Sequence, residues 1–254
     1  MKAIWNGSLS FGLVNIPVKM YAAIDRRPVN FKLLHEKDNS PIEYRRWCSQ
    51  HDHEVPWNEV VKGVDLGEGT FYVLSKQELS SLRPKRSESI EVHEFVPEDR
   101  LDRIWIDQHY YLGPEKGGHK AFFLLRDVLS KERKLAVASF VMREREYVAA
   151  VGPYGPGMLL STLNYQDEVR SMEGLEGIDE KVAPKRNEVE LAQQLIEKLT
   201  VKKLDLTKFK DNYRERLKQA IEARDAKHLV QVEQEVKATP EENLLDALKA
   251  SLES

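Results

Sequence analysis

From residue 8 to residue 16 the chain alternates. Leu9, Phe11 and Leu13 share one side and Ser10, Gly12 and Val14 the other, a period of two that reads as a strand, with Pro17 marking a sheet edge. Short β-rich runs follow at 70–74, 89–95, 104–111, 135–142, 147–151 and 158–164. The run at 135–141 is the clearest: Leu135, Val137, Ser139 and Val141 oppose Ala136, Ala138 and Phe140. Gly67-Glu-Gly69, Gly117-Gly118 and the Gly/Pro-rich stretch 152–157 separate the runs. Many short strands with dense turns predict a barrel or sandwich. One helix interrupts them at 119–130, where Ala121, Leu124, Leu125, Val128 and Leu129 recur at three- and four-residue spacing. The stretch before Thr70, with Pro41, Pro56, Trp47 and Trp57, is too irregular to divide into elements.

Past Tyr165 the pattern changes. Residues 172–184 are acidic and aperiodic and read as a connector. Val189, Ala192, Leu195, Ile196 and Leu199 then form a helical stripe, and a second helix at 208–224 carries Phe209, Tyr213, Leu217, Ala220 and Ile221 on one face. Two helices on a linker cannot bury such stripes alone; they must dock on the β-rich body or on another chain. Beyond a polar stretch at 231–238, Thr239-Pro-Glu-Glu242 is a capping box with Pro at the first helical position. Behind it Leu244, Leu245, Leu248 and Leu252 make the apolar face of a short acidic helix. Such a face suits a partner's groove or the protein's own body. The expected organisation is a mainly β core at 1–180, a helical arm at 181–230, and a linker with a terminal helix at 231–254.

Charge adds a second layer. The 254 residues hold 39 Lys and Arg against 42 Asp and Glu, a net of −3, but the distribution is uneven. Residues 147–180 carry one Arg and six acids, residues 181–231 carry 13 Lys and Arg against eight acids, and the last 23 residues carry two Lys against six acids. Basic clusters recur at Arg26-Arg27, Arg45-Arg46, Arg83 to Arg86, Lys131 to Lys134 and Arg143-Glu-Arg145. They fit either a solvated surface or a polyanion-binding one. A single cysteine excludes an intramolecular disulfide framework and points to a reducing interior. No apolar run has the ~20 residues a bilayer requires, and the N-terminus lacks a signal-peptide pattern, so a cytoplasmic protein without membrane contact is expected.

Catalytic signals are missing. The chain has no G-x-S-x-G, P-loop, G-x-G-x-x-G or H-E-x-x-H motif, and no cofactor is expected. Cys48, His51 and His53 are three potential zinc ligands within six residues, but no second pair completes a four-coordinate site, and no metal is assigned. Lys116-Gly-Gly-His-Lys120 suits a phosphate at a helix N-terminus as well as it suits a plain loop–helix junction. Arg143 and Arg145, two apart at a turn between strands, can share one face toward phosphate, or form a solvated hairpin tip with Glu144.

Several blocks taken in order resemble the prokaryotic Ku proteins, the DNA-end-binding factors of bacterial and archaeal non-homologous end joining. They are Ala3-Ile-Trp-Asn-Gly-Ser-Leu-Ser-Phe-Gly-Leu-Val-Asn-Ile-Pro-Val18, Glu54-Val-Pro-Trp57 with Val61-Lys-Gly63, and Tyr110-Tyr-Leu-Gly-Pro-Glu-Lys-Gly-Gly118. Pro153-Tyr-Gly155, Leu163-Asn-Tyr-Gln-Asp-Glu-Val-Arg170, Tyr213-Arg-Glu-Arg216 and Leu245-Asp-Ala-Leu-Lys-Ala-Ser-Leu252 complete the series. The chain departs from many relatives in having His51 where they have the second cysteine of a C-x-x-C, and in lacking a Lys-rich tail, which resembles the family's minimal form.

The resemblance implies a β-barrel core with a DNA-encircling bridge, a helical dimerisation arm and a short C-terminal helix. Two copies would form a ring threaded by duplex DNA, recruiting an ATP-dependent DNA ligase of the ligase D type through Leu244, Leu245, Leu248 and Leu252. The expected phosphate contacts are Arg26, Arg27, Lys37, Arg45, Arg46, Lys116, Lys120, Arg143 and Arg145, basic residues beside turns. Arg214 and Arg216 sit on an arm helix, where a structural role is as natural. A topologically closed ring takes DNA only from an end and reads no bases. The competing readings are a metal-dependent nuclease and a protein-only scaffold built around the leucine face.

Overall fold

The alternation along the first two-thirds of the chain closes on itself. A computed structural model describes residues 1–26, 28–84, 88–178 and 185–223. Its strands are β1 (Trp5–Phe11), β2 (Val14–Ala22), β3 (Trp47–Cys48), β4 (His53–Glu54), β5 (Lys62–Asp65) and β6 (Phe71–Leu74). There follow β7 (Ser89–Pro97), β8 (Ile106–Pro114), β9 (Lys134–Met142), β10 (Arg145–Tyr154) and β11 (Gly157–Leu163). Seven of these form a barrel in the order β1-β2-β8-β11-β10-β9-β7, in which every neighbour is antiparallel except the closing pair, β1 with β7. The chain is mainly β, as the turn density predicts.

Alternate residues of each strand fill the interior: Leu9, Ile16, Val18, Met20, Ile90, Leu112, Phe140, Val151, Met158 and Leu160 are almost wholly removed from water. On β9 the buried set is Ala136, Ala138, Phe140 and Met142, so its alternation is legible at single-residue resolution. The alanines there and Ala149 on β10 leave room for the Phe140 and Phe122 rings in the same core.

The barrel corrects three expectations. The run 8–16 is two strands, because Gly12 takes φ +57°, a conformation costly for other residues, and turns the chain at Gly12-Leu13. Pro17 marks no edge, since the sheet has none. The Ser8 amide donates to the Glu88 carbonyl at 2.8 Å, away from β2, so in the antiparallel Ser8–Pro17 pair the proline nitrogen also faces away from β1. No β1–β2 ladder bond is lost. The run at 104–111 begins in a 3-10 turn (Arg103–Trp105), and β8 continues to Pro114.

Strand directions define two barrel ends. Phe11, Val14, Pro97, Lys134 and Gly157 lie at one, where helix α2 (His119–Glu132) packs Phe122, Leu125 and Leu129 into the core. The buried line is therefore rotated from the expected stripe: Leu124 and Val128 stay largely exposed and line a 510 Å³ hollow with Phe11, Val14 and Phe95. Trp5, Ala22, Ser89, Ile106, Met142, Arg145 and Leu163 lie at the opposite end. A short helix α1 (Lys76–Leu82), not foreseen in the sequence, starts with a capping box between Ser75 and Glu78 and delivers the chain to Arg83. A β5–β6 hairpin precedes it.

The chain divides into two compact units, one of Met1–Arg27 with Trp57–Val182 and the other of Pro28–Pro56 with Ala183–Ser254. The second holds the β3–β4 hairpin and helices α3 (Arg186–Leu199) and α4 (Asn212–Ala223). Helix α4 starts later than the sequence suggests, and Phe209 precedes it, at the end of a 3-10 turn. The apolar residues Leu195, Ile196, Leu199, Tyr213 and Ile221 are all more than half exposed.

A methyl group at position 7 would collide with the Glu88 carbonyl oxygen and the Trp5 indole, both beside the closing seam. Gly7→Ala should therefore cost about 1–3 kcal/mol in urea unfolding, and Phe140→Ala about 3–5 kcal/mol through the cavity it leaves.

Candidate nucleic-acid interface

The β9–β10 hairpin turns through Arg143 (φ +51°) and Glu144 (φ +66°), both left-handed. This geometry matches the twist of the paired strands and usually recruits Asn-Gly; an arginine and a glutamate here cost about 1–2 kcal/mol each. Arg145, opposite Met142, lays its guanidinium over the Tyr147 ring, 5.5 Å from the centroid. Its Nη2 lies 3.3 Å from Glu168 Oε1. On the other flank Arg83 Nη1 lies 2.7 Å from Glu144 Oε1.

Glu168 is itself held. Its second oxygen accepts the Tyr165 amide at 2.8 Å, and the Tyr165 hydroxyl donates to the Glu146 carbonyl of β10 at 3.3 Å. Burial and then the Glu146 charge raise the Tyr165 phenol above its ordinary pKa. Asn164 ties the same turn to the start of β8 through bonds to the Trp105 and Ile104 carbonyls. The block at 163–170 thus braces one flank of the hairpin tip. Arg143 lines a 280 Å³ hollow with Trp5, Asn6, Glu88 and Glu144, and its charge reaches the buried Tyr110, whose phenol pKa burial pushes up.

Arg26, which follows β2, lies at this same barrel end, beside Gln108, His109 and Tyr110 around a 230 Å³ hollow. Lys116 and Lys120 lie at the other end, where α2 begins. Strands of nine residues run between the two sets. Their turn is shaped by packing: Gly117 takes φ +89°, and a methyl on Gly118 would sit 2.6 Å from the Pro17 carbonyl oxygen. Both lysines are exposed.

In the second unit Lys37 is exposed, in a turn that a His35–Asp38 contact of 2.9 Å spans. Arg45 reaches Glu54 at 3.8 Å, and Arg46 donates Nε to the Val55 carbonyl at 3.1 Å, closing the base of the β3–β4 hairpin. At its tip the Trp47 indole donates to Asp52. The Cys48 thiol is drawn down to about 7, first by the His51 backbone N–H and then by its imidazole, with Sγ and Nδ1 3.4 Å apart. Among the described residues no three His, Cys, Asp or Glu side chains are placed to hold a metal ion. Arg27, Leu244, Leu245, Leu248 and Leu252 lie outside the described residues.

The structure thus gathers Arg26, Arg143 and Arg145 at one barrel end and leaves Lys116 and Lys120 at the other. Sequence reasoning names Arg83 only in a basic cluster and Glu144 only as a partner within the turn, and it gives Tyr165 and Glu168 no physical role. The Ser75-x-x-Glu78 capping signature could have located the helix that presents Arg83; nothing local announces the Glu168 contact. Among the described residues no helix is long and apolar enough to cross a membrane.

The model of the Ku family, described as the Ku70/Ku80 beta-barrel domain, matches residues 10–191. The non-homologous end joining protein Ku of the archaeon Archaeoglobus fulgidus is 38% identical over 255 residues, covering 100% of this chain and 99% of the relative. That of Heliobacterium modesticaldum is 37% identical, covering 100% of this chain and 92% of the relative. The Bacillus subtilis protein of the same name is 33% identical over 257 residues, covering 100% and 82%. With the family model matched over residues 10–191 and relatives aligned along its whole length, this chain belongs to the Ku family.

Proposed function

We propose that this protein binds the ends of double-stranded DNA without sequence preference, as a ring-shaped homodimer acting in non-homologous end joining. The full-length similarity to proteins named for that process carries the reading. The physical mechanism needs no chemistry at a reacting centre. Lys and Arg neutralise phosphates and release counterions, which makes affinity strongly salt-dependent and blind to bases. A closed ring can be entered only at a terminus, so topology supplies the selectivity for ends.

Within this reading, the uncovered apolar faces of α3 and α4 clasp a second copy. Arg26, Arg143 and Arg145 at one barrel end contact phosphates, and Lys37, Arg45 and Arg46 do so from the second unit. Lys116, Lys120 and Arg27 complete the candidate set. The leucine face at 244–252 recruits an ATP-dependent DNA ligase of the ligase D type. The protein itself is no enzyme, and it works in the cytoplasm on the nucleoid.

A gel shift comparing linear with covalently closed circular duplex tests the topology. Linear DNA is expected to bind and closed circles to stay free; equal binding of both overturns the ring. A solution mass near twice 29.4 kDa is expected for the free protein, and a monomer contradicts the clasping arms. Reversing Arg143 and Arg145 to Glu should weaken binding to all sequences alike and lower the salt slope by about 1 per lost contact. Loss confined to one sequence would contradict it.

A further inference from the structure

We infer that Glu144 and Glu168 compete internally with DNA phosphates for arginine at the hairpin end of the barrel, and that Arg83 is a further phosphate-contacting residue there. This rests on the end-binding reading above and adds the device that limits the grip.

Three observations carry it. First, the tip is not a bare cationic patch: Arg83 and Arg145 each already hold a carboxylate, at 2.7 and 3.3 Å. Second, these carboxylates are supplied from a distance and kept in place. Glu168 lies 23 residues from Arg145 and is fixed by the Tyr165 amide on its other oxygen, so it remains aimed when Arg145 swings away. Glu144 comes from a turn position that a glutamate occupies only at a cost, and it meets Arg83 across 61 residues of sequence. Third, all four side chains are between 43 and 61% exposed. Ion pairs in such settings are weak and exchangeable.

A phosphate fits a guanidinium with the same two-point geometry as a carboxylate. One arriving at this end therefore replaces an existing partner instead of filling an empty site, and the net gain per contact is small. A ring that slides along a duplex needs such contacts: enough attraction to stay, and no single hold deep enough to stall.

The test uses the full chain and a short linear duplex, with dissociation constants measured across a salt series. Glu144→Gln and Glu168→Gln should each tighten binding about two- to fivefold. The salt slope should stay nearly unchanged, because the arginine meets its phosphate in wild type and variant alike. The gain from Glu144→Gln should vanish when Arg83→Gln is added, which identifies Arg83 as the beneficiary. Asp167, one residue from Glu168, makes no ion pair among the described residues. Asp167→Asn should leave affinity unchanged. Thermal unfolding should be alike for all variants, which separates charge release from damage to the fold. Glu144→Gln binding no tighter than wild type overturns the inference while leaving end binding intact, as does Asp167→Asn tightening as much as Glu168→Gln. Wild type failing to bind duplex at all would remove the underlying reading and this inference with it.

Discussion

The seam between β1 and β7 decides the architecture. It is the one parallel pairing in the barrel and spans three residue pairs, Ser8 with Ser89, Leu9 with Ile90 and Ser10 with Glu91. A side-chain bond between the Ser10 and Ser89 hydroxyls, 2.6 Å apart, reinforces it. Without the seam the seven strands would be an open sheet with two exposed edges, a template for unwanted pairing. With it, the interior is sealed around one hydrophobic cluster. Closure also explains why position 7 carries no side chain: β1 and the Glu88 carbonyl leave no space for one.

Closing the sheet creates two ends that the chain treats differently. One is plugged by α2, whose aromatic and leucine side chains complete the core. The other is finished by the left-handed β9–β10 turn, and side chains from distant segments converge around it. Charged side chains collect here on paired strands beside a strained turn, an arrangement that fixes side-chain positions at some cost to stability. The balance of charge at this end is finer than its arginine content implies, because Arg83 and Arg145 each already hold a carboxylate.

Much of this was legible along the chain, for identifiable reasons. The alternation at 135–141 was readable because β9 packs on one side only, and α2 because its apolar residues recur on a helical period. The same reasoning failed where tertiary context decides. Pro17 looks like an edge residue only if its missing amide is needed for pairing, and here it faces away from β1. The face of α2 was misplaced by a fraction of a turn because Phe122, outside the leucine stripe, is the residue the barrel mouth accepts. At the candidate interface, the position of Arg143 and Arg145 at a hairpin tip followed from local pattern. The Arg145–Glu168 and Arg83–Glu144 pairs did not, since contacts spanning 23 and 61 residues leave no trace in spacing. The resemblance blocks at 163–170 had no physical role until Tyr165 and Glu168 were seen gripping the hairpin.

The β3–β4 hairpin has a practical consequence. Its Cys48 is the sole cysteine of the chain, and the His51 backbone N–H and imidazole draw its thiol down, so it forms the thiolate more readily than an ordinary cysteine. A maleimide fluorophore added in mild buffer will label this one position without any engineered residue. The dye would sit close to Arg45 and Arg46, so the unmodified protein comes with an attachment point for an optical reporter on that hairpin.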